Sequence, residues 1–199
     1  MIARLRGTLL SKAPTEAVVD VGGVGYLVHI PLSTFERIGE PGATVDLCTH
    51  LHVREDSMQL FGFATGAERD MFRLLLSVSG IGPKIAQAAL SGVSAEDLRT
   101  HIGTGNVGAL TAVPGVGRKT AERLVVELRE KVARLPAAGL PPGSSGEASV
   151  RQEALLALTS LGYPRPAAEK AVRSALQAAP EAEASLEALI KAALRAING

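Results

Sequence analysis

Two short stretches of this chain share a pattern of residue types whose chemistry can be read directly. Ser79-Gly80-Ile81-Gly82-Pro83-Lys84-Ile85-Ala86 and Pro114-Gly115-Val116-Gly117-Arg118-Lys119-Thr120-Ala121 align at a constant offset of 35 residues. Both glycines, the aliphatic residue between them, the lysine and the following alanine repeat in register. Glycine tolerates positive φ and has no side-chain bulk, so a phosphate can approach the backbone N–H groups at the positive end of the next helix. Lys84 and Lys119 fall in the first turn of those helices, with Arg118 beside Lys119. Such contacts grip a nucleic-acid backbone without reading bases. A single copy would be explained equally well by glycines capping the preceding helix; duplication of five positions favours the phosphate reading. The candidate phosphate-binding residues are therefore Gly80, Gly82, Lys84, Gly115, Gly117, Arg118 and Lys119.

Other chemistries find less support. Gly117-Arg118-Lys119-Thr120 superficially suggests a nucleotide-binding loop, but it lacks the Gly-Lys adjacency, and GxxxxGK[ST] occurs nowhere in the chain. No ATP site is expected. Cys48, His50 and His52 share one strand face by period two, a spacing a metal could use, yet strand histidines are usually ordinary and no metal site is assigned. No catalytic residue and no cofactor are assigned either. Arg54-Glu55-Asp56-Ser57 joins two β-rich runs, and taken alone reads as a solvated hairpin tip.

Composition narrows the classes further. The 199 residues are 46% hydrophobic and only 3% aromatic, with 21 Lys+Arg against 20 Asp+Glu, which favours folded domains over disorder. A single cysteine allows no internal disulfide, Arg4 and Arg6 interrupt any apolar leader, and no apolar run reaches the roughly 18–20 residues that span a bilayer. The chain reads as cytoplasmic, with no membrane association. Near-neutrality conceals a pattern: net charge is −2 over residues 1–64, +3 over 65–136 and zero over 137–199, so only the stretch carrying the twin motif is basic.

The elements that must position these residues follow from period and turn chemistry. Arg4–Leu10, Ala17–Val21, Tyr26–Ile30, Thr44–Val53 and Met58–Phe63 read as five strands, punctuated by Gly22, Gly23, Gly25 and Pro31. Five strands in so short a span predict a small barrel; an OB-fold leads and an SH3-like barrel fits nearly as well. From Ala67 the period becomes helical, with Ser94 and Asp97 as a candidate cap. Residues 136–149 have linker composition, and three short helices follow near Val150–Leu161, Pro166–Ala178 and Ala184–Ile197. The expected fold is multidomain α+β. It comprises a five-stranded OB-fold barrel over 1–64, an all-α tandem helix-hairpin-helix domain over 65–135, a flexible linker over 136–149 and a three-helix bundle over 150–199.

This order resembles the RuvA family, the Holliday-junction-binding subunits of the bacterial branch-migration complex. Met1-Ile2-Ala3-Arg4-Leu5-Arg6-Gly7, Val21-Gly22-Gly23-Val24-Gly25-Tyr26, Thr49-His50-Leu51-His52-Val53-Arg54-Glu55-Asp56 and Pro114 to Leu124 are similar to that family's stretches, and the resemblance covers nearly the whole chain. It implies a non-catalytic, DNA-binding subunit acting in recombination, repair and the SOS response. The family forms a homotetramer, or two facing tetramers, that holds a four-way junction open and square. By the same resemblance Glu55 and Asp56 match an acidic pin at the junction centre. Residues 150–199 are similar to the ubiquitin-associated-like domain that docks the hexameric ATPase RuvB, and RuvC resolvase is a further implied partner. Leu158, Leu161, Gly162, Tyr163, Ala171, Val172, Leu189, Ile190 and Leu194 are expected in the core of that domain. Two rivals remain. A helix-hairpin-helix glycosylase or nuclease would need a catalytic Asp, Lys or carboxylate cluster that is not seen, leaving a DNA-binding accessory to a repair nuclease as the alternative. A single-strand binder would want aromatic platforms, which this aromatic-poor chain scarcely offers.

Overall fold

A computed structural model describes residues 1–133, 135, 147–178 and 185–198. They divide into two compact units, split between residues 138 and 139. In the first, strands β1 (Arg4–Ala13), β2 (Glu16–Val21), β3 (Val24–His29), β4 (Thr44–Val53) and β5 (Met58–Phe63) close into a barrel of order β1-β2-β3-β5-β4. Strand β1 closes it by pairing with β4 over Arg4–Thr8 and with β2 over Thr8–Ala13. It therefore runs three residues past the expected Leu10, through a register shift between Leu9 and Ser11. Gly7 lies at the crossover, where an added Cβ would sit 2.0 Å from the Asp20 carbonyl oxygen. β3 and β5 meet in parallel at His29 and Phe61. This is the OB-fold order, with the short helix α1 (Leu32–Phe35) between β3 and β4.

The barrel interior is aliphatic: Leu9, Val19, Val28, Ile30 and Leu47 are fully buried. Phe61 and Phe63 of β5 instead join the core of the helices that follow. Those are α2 (Gly66–Leu76), α3 (Pro83–Gly92), α4 (Ala95–Thr104), α5 (Val107–Thr111) and α6 (Arg118–Ala133). The Phe72 ring of α2 lies 4.9 Å from each of Phe61 and Phe63, so barrel and helices share an aromatic seam. Thr65 and Glu68 form a complete capping box at the start of α2, and buried Glu68 also accepts a 2.7 Å hydrogen bond from Ser33 of α1. Ser94 caps α4 by accepting from the Asp97 N–H, as its sequence spacing suggested.

In the second unit α7 (Glu147–Ser160), α8 (Arg165–Ala178) and α9 (Leu186–Asn198) pack around Ala154, Leu158, Ala168, Ala171, Val172, Ala175, Leu189 and Ala193. Tyr163, Ile190 and Leu194 flank that core. Leu161 does not belong to it and is 63% exposed. The reason is the end of α7: Gly162 N–H bonds to the Thr159 carbonyl and Tyr163 N–H to that of Leu158, with Gly162 at φ 95°. This Schellman closure turns Tyr163 back toward Leu158 and leaves Leu161 outside. The stretch read as a linker lies outside the described residues up to 146, and the backbone of 147–149 already belongs to α7.

The seam carries a pH prediction. His50 of β4 packs edge-on against Phe72 at 5.6 Å, and burial, reinforced by the charges of Arg73 and His52, pushes its imidazole below the ordinary value of 6.5. The unfolded chain then takes up this proton more readily than the folded one. The stability due to His50 is complete above pH 6.5 and is lost as the pH falls through the folded value. Urea midpoints compared at pH 7.5 and 5.5 should decline for the native chain and decline less for His50→Gln; equal declines would remove His50 as the cause.

Candidate nucleic-acid interface

The twin motifs occupy equivalent places in the helical core. In the first, α2 leads through Ser77–Gly82 into α3; in the second, α5 leads through Ala112–Gly117 into α6. Gly80 has φ 93° and Gly115 φ 83°, the left-handed region that glycine adopts without strain. Between the glycines, Ile81 and Val116 are each 6% exposed and plug their loops into one core. Each also donates its N–H to a valine carbonyl three residues back, Val78 and Val113. Gly82 and Gly117 then accept from Ala86 and Ala121, the first intrahelical bonds of α3 and α6. The sequence offset is thus a structural repeat, bond for bond.

Gly82 is the N-cap of α3 and carries no side-chain cap, while Pro83 fills the position whose N–H would be unsatisfied anyway. An added Cβ at Gly80, Gly82 or Gly117 would meet nothing within 4 Å, so the three glycines face open space. Gly115 differs: its added Cβ would lie 3.3 Å from Ile85 Cγ1, because the second loop packs on the first motif's helix. Lys84, Arg118 and Lys119 are exposed, and Arg118 leans back onto Glu122 at 3.1 Å across one helical turn. The arrangement offers helix N-termini, free backbone approach and cations together, which suits phosphate oxygens.

One further cation was missed in the sequence. Arg123 of α6 donates to the Ser79 carbonyl at 2.9 Å, tying the second motif's helix to the first motif's loop. Its only sequence signal was its position one turn beyond Lys119 on the same helix face.

The acidic tip lies on the barrel. Val53 pairs with Met58, and the Arg54 N–H donates to the Ser57 carbonyl at 2.8 Å, closing the tip around exposed Glu55 and Asp56. The Arg54 Nε donates to His52 Nε2 at 3.1 Å. Cys48, His50 and His52 do not converge: His50 stacks into the seam, and no three potential metal donors cluster among the described residues.

Comparison with known proteins matches each part of the chain to a family. Residues 1–62 match the RuvA N terminal domain, 72–130 the SAM-like helix-hairpin-helix tandem and 149–198 the RuvA C-terminal domain. A Geobacter sulfurreducens protein is 47% identical over 99% of both chains. One from Halorhodospira halophila is 49% identical over 98% of this chain and 97% of its own, and one from Chlorobaculum tepidum 44% over 100% and 98%. Each is named Holliday junction branch migration complex subunit RuvA. The chain belongs to the RuvA family.

Within this RuvA-family chain the two glycines at positive φ are not equivalent, and that can be measured. Alanine at Gly80 or Gly115 should cost about 1–2 kcal/mol for left-handed backbone strain. Gly115→Ala must in addition displace Ile85. Denaturant titration should show Gly115→Ala less stable than Gly80→Ala; the reverse order would mean that the contact between the two motifs is not held in solution.

Proposed function

We propose that this chain is the non-catalytic, DNA-binding subunit of a branch-migration machine. It binds four-way junctions as a homotetramer, holds them open and square, and positions a hexameric ATPase of the RuvB type. The observation that carries this reading is the pairing, within one compact unit, of twin cationic helix N-termini with an exposed acidic hairpin tip. Phosphate-gripping and phosphate-repelling elements on one body suit DNA whose duplex arms are held while its centre is kept open. The full-length similarity to proteins named as branch-migration subunits supports it, as does the lack of a GxxxxGK[ST] segment in the sequence.

In this reading Gly80, Gly82, Gly115 and Gly117 admit phosphates to backbone N–H groups, and Lys84, Arg118 and Lys119 supply charge. Glu55 and Asp56 repel phosphates at the crossover and guide separated strands into neighbouring arms. The three-helix unit of residues 150–199 docks the ATPase, and RuvC resolvase shares the assembly. Whether one tetramer or two facing tetramers clasp the junction is decided by solution mass with a synthetic four-way junction. A monomer with and without that DNA would sink the proposal, and cleavage or base excision by the isolated chain would favour a nuclease accessory or an enzyme instead.

Two predictions follow from the charges. With Lys84 and Lys119 on phosphates in each of four subunits, about eight charges are neutralised, and log K against log salt should slope near about −7. The double change Lys84→Ala with Lys119→Ala should flatten that slope and weaken all junction sequences alike; a loss that depends on sequence would mean that bases are being read.

At the tip, Glu55→Gln with Asp56→Asn keeps size and hydrogen-bonding capacity but removes the repulsion, worth on the order of 1 kcal/mol per charge pair near a solvated surface. Affinity for linear duplex should rise more than affinity for the junction, lowering the selectivity ratio at matched salt. An unchanged ratio would reduce Glu55 and Asp56 to a solvated turn.

A further inference from the structure

One polar side chain lies between the two proposed DNA-contacting bodies. Gln87, half-buried on α3 one turn after Lys84, directs its amide Nε2 to the carbonyl oxygens of Thr15 at 3.1 Å and Ile30 at 2.6 Å. Both acceptors are barrel backbone: Thr15 sits in the β1–β2 turn, and Ile30 just follows β3. Because both partners are acceptors, the amide must present its NH2 group to them. The Ile30 carbonyl precedes Pro31, which has no N–H to share, and the Thr15 carbonyl already receives the Ile30 N–H at 2.9 Å. Gln87 thus gives the Ile30 carbonyl a donor and adds a second one to the Thr15 carbonyl, bridging two backbone acceptors of the barrel.

A second polar contact from α3 lies one turn further on: Ser91 donates its hydroxyl to the backbone carbonyl of Gln87 at 2.8 Å and accepts the Leu32 N–H at 3.0 Å. Lys84, Gln87, Ala88 and Ser91 form one stripe of α3, and with Thr15 and Pro114 they line a groove of about 400 Å³. The first motif's cation and the leading residue of the second motif therefore share walls with the residues that hold α3 to the barrel.

We propose that Gln87 is a positioning residue for the DNA grip, fixing the first motif and Lys84 at one angle to the barrel that bears Glu55 and Asp56. Burial of the aromatic seam holds the two bodies together and limits the angle between them without fixing it, since burial itself is non-directional. Two hydrogen bonds from one planar amide are directional and do choose it. This proposal rests on the junction-binding function above: a linear duplex needs the grip alone, whereas a junction needs grip and acidic tip in fixed relation.

The test uses the full chain. Gln87→Met keeps side-chain length and neutrality but removes both donors; Gln87→Lys restores donors to the same carbonyls. In a Cys48→Ser background, spin labels at Glu16→Cys on β2 and Thr111→Cys on α5 report the angle without DNA. The distance distribution should broaden in Gln87→Met and narrow again in Gln87→Lys. Junction affinity of Gln87→Met should fall about tenfold, the scale of two ordinary hydrogen bonds, while duplex affinity stays within about twofold.

An unchanged distance distribution, or junction and duplex affinities falling by the same factor, would overturn the proposal. Gln87→Ala, which removes the amide altogether, gives the same comparison if Gln87→Met fails to fold. If the native chain itself shows no preference for junction over duplex, the functional reading fails, and the label distances still decide the role of Gln87.

Discussion

The first unit depends on the burial of Phe72 between two phenylalanines from another element. The chain has only four phenylalanines, and three meet here. Burying such a side chain is worth roughly 1.5–3 kcal/mol, and each well-placed aromatic pair adds about 0.5–1.5 kcal/mol. No surface ion pair among the described residues competes with that, since exposed pairs contribute about 0–1 kcal/mol. The consequence is mechanical. The barrel that bears the acidic tip lends Phe61 and Phe63 to the core of the helical body, so neither turns freely against the other. The polar contacts along the seam, Ser33 to Glu68 and Gln87 to Thr15 and Ile30, then select one arrangement among those that burial alone would allow.

The helical body shows how a repeat becomes a near-symmetric site. Each loop is held down by a buried aliphatic residue and released by a glycine at positive φ, so the following helix begins with its N-terminus facing outward. Charge is secondary to this geometry. Arg118 shares its guanidinium with Glu122, which leaves the lysines and the helix N-termini as the more available positive groups. The repeat is also imperfect where the copies touch: the second loop rests on Ile85 of the first motif's helix, and Arg123 reaches back to Ser79. These contacts turn two copies into one surface.

The second unit is built on different terms. Among its described residues, five of the eight buried in the core are alanines, so its helices bury little area each. A core of that size gives modest stability.

The sequence alone determined what depends on near neighbours. The twin loops were legible because glycine and proline set backbone angles within a few residues, and a 35-residue repeat is visible without knowing what it packs on. Strands β4 and β5 and the acidic tip between them were legible from alternation and a polar turn, and the family followed from their order. Tertiary structure decided whatever depends on partners far away in the chain. That β1 extends to Ala13 reflects pairing with β2 across a bulge, and that Leu161 faces outward reflects a helix-end closure that brings Tyr163 inward. The long-range bonds of Phe72, Glu68, Gln87 and Arg123 were invisible because those partners lie 9 to 72 residues away; only the cap that Glu68 makes with Thr65 carries a local signature. A side chain's type limits which bonds it can make; only the folded register determines which carbonyl or ring is there to receive them.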